Sequence, residues 1–154
     1  MEIEGILPAI DEAFGCERPA QMVRNPGHCD ECTEHEGTMQ AVTPETVSLD
    51  QVGNLAWDPV CYLTDEAWRY FMPGLARLAL GRGDGYHLDQ FLYHLESGRI
   101  DCLNAEQCRA LSALLDHLYE TMAGEIADHM DDKVLGHVMD LLAALVGASQ
   151  PDKV

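Results

Sequence analysis

Thr64-Asp65-Glu66-Ala67-Trp68-Arg69-Tyr70-Phe71-Met72-Pro73-Gly74-Leu75-Ala76-Arg77-Leu78-Ala79 is the stretch whose reading decides the fold class. Trp68, Phe71, Met72, Leu75, Leu78 and Ala79 recur at three- and four-residue steps, which places them on one face of a helix. Thr64 is a good N-cap, and Asp65 and Glu66 complement the positive end of the helix dipole. The spacing predicts a helix over 64–79. Pro73 removes a backbone donor inside it, so a kink or break is expected near Met72.

Toward the C-terminus the pattern repeats. Gly81, Gly83 and Gly85 make a connection that is no phosphate loop, because no Lys follows and no strand precedes. Leu88, Phe91, Leu92 and Leu95 mark a helix closed by Ser97-Gly98. Asn104, with Gln107 at the capping-box position, starts a stronger one bearing Cys108, Leu111, Leu114, Leu115, Leu118 and Met122, with Gly124 a point of interruption. A last helix is expected over 132–146, stopped by Gly147. Toward the N-terminus, 8–14 reads as a short helix with Pro8 in its first turn. Residues 16–61 are loop-rich, with a polar helix over 29–40 and a short helical turn within 43–61. Alternating strand-like runs are nearly absent. The expectation is all-α: one compact domain over 1–154, about five to seven helices, an irregular N-terminal third and a helical core at 64–147.

The chain has 154 residues, of which 47% are hydrophobic, ample material for a core and too apolar for a disordered chain. Asp and Glu number 27 against nine Lys plus Arg, a formal charge of −18. Nucleic acid and anionic membranes are bound through clustered Lys and Arg, so both are excluded as partners. Cations and basic protein surfaces are favoured. No apolar run approaches the roughly 20 residues that span a bilayer. Met1-Glu2-Ile3-Glu4-Gly5 lacks the basic region of a signal peptide, so a cytoplasmic protein is expected.

Six cysteines occur, at 16, 29, 32, 61, 102 and 108. Cys61, Cys102 and Cys108 lie among apolar residues and read as small hydrophobes. Cys29 and Cys32 differ, because they belong to His28-Cys29-Asp30-Glu31-Cys32-Thr33-Glu34-His35, an H-C-x-x-C-x-x-H run. Thiolate and imidazole donors in this number favour zinc. Cys29, Cys32, His35 and His28 are therefore the candidate ligands, with Cys16 or Cys61 as an alternative fourth. On a regular helix, positions three apart drift by about 60°, so convergence requires the first turn to be unwound. A redox dithiol is the competing reading, although the acidic neighbours Asp30, Glu31, Glu34 and Glu36 oppose a thiolate.

Other positions read plainly. His87 and His94, seven apart, are expected as partly exposed helix histidines. His117, His129 and His137 fall on acidic helices. Trp57, Tyr62, Trp68, Tyr70 and Phe71 read as core. The run Cys29-x-Glu31-Cys32-x-Glu34-His35, followed by Trp57, Leu63-Thr64-x-Glu66-Ala67-x-x-Tyr70-x-x-Pro73 and Leu103-Asn104-x-Glu106-Gln107, resembles an uncharacterised bacterial family known only as a domain of unknown function. The resemblance implies an intracellular bacterial protein and brings no reaction or catalytic residue.

No complete catalytic set is visible, so the expected function is a protein-binding module, its partner basic, with a structural zinc site. A thiol- or metal-dependent enzyme using Cys29 and Cys32 is the alternative. An acidic inhibitor or immunity-type protein that neutralises a basic target is a second.

Overall fold

The computed structural model describes residues 3–148. The expected all-α class holds. Among the described residues there are eight α-helices and three 3-10 helices, and the one extended pairing is an isolated antiparallel bridge between Val23 and Leu63. The helix count exceeds the expected five to seven, because several short elements are set by side-chain caps rather than by apolar periodicity. The four-residue helix Leu49–Val52, for example, is closed by a Ser48–Gln51 capping box. No helix among the described residues is long and apolar enough to cross a membrane. The chain divides into two units.

One unit comprises α1 (Ile3–Ala13) and the chain from Leu92 onward, with the later residues of α5 (Leu88–Glu96), α6 (Ala105–Thr121), α7 (Ala123–Asp128) and α8 (Asp132–Ala148). Helix α6 is its axis and packs against α1, α7 and α8. Leu111, Leu114, Leu115 and Leu118 of α6 are buried with Ile6 and Ile10 of α1 and Leu135, Val138 and Leu142 of α8. The Asn104–Gln107 capping box forms as the spacing predicts, and the Gln107 amide also donates to the Ala13 carbonyl at 3.2 Å. Two boundaries differ from expectation. Helix α1 starts before Pro8, which lies inside it, because Ile6 and Ile10 bury one continuous face and outweigh one lost ladder bond. Helix α8 passes Gly147, where no left-handed turn stops it.

The second unit, Phe14–Phe91, holds α2 (Asp30–Gln40), α3 (Leu49–Val52), the 3-10 turns Leu55–Trp57 and Pro59–Tyr62, α4 (Asp65–Ala79) and the first residues of α5. Thr64 caps α4 through the Ala67 N–H at 3.0 Å. The helix then runs through Pro73 without the break that was one of the two expectations there, since Phe71, Met72, Leu75 and Ala76 around the proline are all buried. Gly74 sits directly beneath the Pro44 carbonyl, where no Cβ fits. The Arg77 guanidinium on the next turn donates to the Pro44 and Val47 carbonyls at 2.9 and 3.0 Å and ties the 44–47 loop down.

Candidate metal and thiol site

The site lies where the chain turns into α2. Asn25-Pro26-Gly27-His28 is a tight turn closed by the His28 N–H on the Asn25 carbonyl at 3.1 Å. Thr33 anchors it to the helix by donating its hydroxyl to the Pro26 carbonyl at 2.8 Å. Cys29 is the N-cap of α2, with extended backbone (φ −157°, ψ 173°), and its sulfur accepts the Cys32 N–H at 3.4 Å. A sulfur thus fills the place usually taken by a Ser or Asp oxygen. This extended residue is the unwinding that convergence requires.

In consequence a ligand nitrogen of His28, the Cys29 sulfur and the Cys32 sulfur lie within 4.8 Å of one another, a group able to hold a metal ion. The two sulfurs are 3.4 Å apart. Tetrahedral zinc with bonds of about 2.3 Å separates its sulfurs by about 3.8 Å, so a few tenths of an ångström of opening would admit the ion. His28 and Cys29 are exposed and Cys32 is buried.

His35 does not join this group. Its ring is fully buried, tilted against Trp57 and Tyr62 with centroids 5.1 and 5.0 Å away. Its Nε2 pairs with the Glu31 carboxylate at 3.2 Å, and its Nδ1 has no hydrogen-bond partner. Cys16 and Cys61 also stand outside the group. The Cys16 thiol donates to the Phe14 carbonyl at 3.3 Å, and partial burial pushes its pKa up. Cys61 is exposed rather than packed, unlike buried Cys108. Trp57 is 39% exposed rather than core. His87 and His94 are each buried, not partly exposed, because each lies among the apolar residues that bury its own stretch of chain.

The two thiols are electrostatically unequal. The Cys32 N–H, and then hydrogen bonds from His28 and the Cys32 thiol, lower the Cys29 pKa to about 7. The proton shared with Cys29, then burial and the charges of Cys29 and Glu31, push Cys32 up. The expectation that acidic neighbours oppose a thiolate therefore holds for Cys32, beside the Glu31 charge, and fails for Cys29, where hydrogen bonds outweigh the cost of burial. A hydrogen bond to the Glu31 carboxylate, and its charge, likewise raise Tyr62.

Two features escape sequence reading. Glu36, read there as part of an acidic flank, accepts the Met22 N–H at 3.0 Å and the Val23 N–H at 2.8 Å. The bridge of Val23 with Leu63, flanked by Arg24 N–H to Tyr62 carbonyl (2.9 Å) and Thr64 N–H to Met22 carbonyl (2.8 Å), then sets Arg24 beside Tyr62. Val23, Arg24, Asn25, His28, Cys32 and Tyr62 line a cavity of about 370 Å³. Only the turn-forming Asn25-Pro26-Gly27 run hints locally that the chain reverses after Arg24. No protein-family model matches the chain, and neither does any curated protein or solved structure.

Proposed function

We propose that this chain is a small zinc-binding protein that holds one ion through His28, Cys29 and Cys32 and serves as a binding module for a basic protein partner in the cytoplasm. The observation that carries the reading is the convergence of those three ligand atoms within 4.8 Å. The ion braces the turn into α2, whose core contribution at its metal-facing end is Cys32 alone. The formal charge of −18 supports the choice of partner, since a field of one sign speeds encounter with the opposite sign. The resemblance to an uncharacterised bacterial family assigns no chemistry, so the proposal stands on geometry.

Elemental analysis of the full chain purified without chelator tests it. About one zinc per chain is expected, falling away in Cys32→Ser. A metal-free protein that refuses added zinc would overturn the reading.

One observation favours a second reading: exposed Cys29, lowered to about 7, faces buried Cys32 at 3.4 Å. In a dithiol oxidoreductase the Cys29 thiolate would attack a substrate disulfide and release one thiolate. Cys32 would then displace the second, taking up the internal disulfide as the substrate gains two electrons and two protons. A metal-free protein that reduces a small disulfide, with the activity lost in Cys29→Ser, would favour this reading over zinc.

A further inference from the structure

The cavity beside the site has a wall no metal ligand explains. It is bounded by two of the three ligands, His28 and Cys32, and also by Arg24, Asn25, Tyr62 and the buried Val23. Its volume of about 370 Å³ falls in the range of small-molecule sites, which combine apolar walls with a few converging polar groups. Three protein ligands leave a fourth zinc position for an exogenous donor, the arrangement of open rather than closed zinc sites.

The charge on these walls selects the ligand. Zinc with two thiolates and a neutral imidazole carries no net charge. Arg24 adds one positive charge, and Glu31 directs its carboxylate to His35 and Tyr62. The Arg24 guanidinium is held at one corner by the Cys61 carbonyl, which accepts from Nη2. A guanidinium has five N–H donors, so others remain for an oxygen ligand. Asn25 lines the same rim. One guanidinium and one open metal position match the two oxygens of a single carboxylate; a dianion adds further negative charge beside Glu31 in a chain already strongly negative.

We infer that the cavity binds a small monocarboxylate, one oxygen on the metal's fourth position and the other on the Arg24 guanidinium. This rests on the zinc reading above, and its test separates the two. The full chain is loaded with one equivalent of cobalt(II) in place of zinc, and metal stoichiometry is measured first. The loaded protein is then titrated with acetate, and separately with inorganic phosphate, while the visible ligand-field bands are followed. The expected result is a saturable change with acetate and a weaker one with phosphate. Arg24→Gln keeps a donor for the Cys61 carbonyl and removes the charge, so it should hold the same metal while its acetate midpoint rises by about tenfold. Full metal loading with no response to acetate overturns the carboxylate proposal alone. So does an unchanged midpoint in Arg24→Gln, or preference for phosphate. Failure to load metal overturns the zinc reading and this one with it.

Discussion

Cys29 has two roles that arise from one backbone choice. Its extended conformation ends the turn, caps α2 with sulfur, and brings that sulfur to Cys32. Metal-free protein should therefore react with iodoacetamide first at Cys29, the rate rising with pH about a midpoint near 7. A midpoint near the ordinary thiol value of about 8.5 would contradict the hydrogen-bond account. The sign for stability follows. The folded pKa is depressed, so the stabilisation is fully present above the unfolded value and is lost as pH falls through about 7. The pairing of these cysteines was legible from their spacing; their inequality was not, because it depends on which sulfur receives the helix's first N–H groups.

At the scale of elements, two contacts tie loops to helices. Glu36, two turns into α2, takes the Met22 and Val23 N–H groups on its carboxylate. Replacing it by Glu36→Gln weakens both bonds and should cost about 1–3 kcal/mol, read as a lower urea midpoint and faster amide exchange at those two residues. Unchanged exchange there would remove Glu36 as the anchor. Gly74 permits α4 to approach the Pro44 carbonyl, and a Cβ there would meet both that backbone oxygen and the short, branched Val47 side chain. Gly74→Ala should lose about 1–3 kcal/mol despite the better helix propensity of alanine. A gain in stability would mean that the 44–47 loop gives way easily. The helices themselves were readable from apolar steps and caps, as at Thr64 and Asn104. Pro8 marks no helix start and Pro73 no break, because burial of the flanking face outweighs one missing hydrogen bond.

Across the whole molecule, a formal charge of −18 is a continuous self-repulsion. Raising salt from about 0.01 M to about 0.15 M shortens the screening length from about 30 Å to about 8 Å. The melting temperature should therefore rise over that range, while binding to a basic partner weakens. A melting temperature that falls with salt would mean that specific ion pairs outweigh the repulsion.

Composition, apolar periodicity and capping residues by themselves determined an all-helical chain, a strongly acidic surface, and thiols and imidazoles within one short run. These are local or summed properties, carried by neighbours a few positions apart. Only the tertiary structure decided that His28 rather than His35 meets the two sulfurs. The same is true of Arg24, which the bridge between segments about 40 residues apart sets beside Tyr62. Convergence of that kind depends on backbone angles at Cys29 and on hydrogen bonds between distant segments, and neither leaves a periodic trace in the chain.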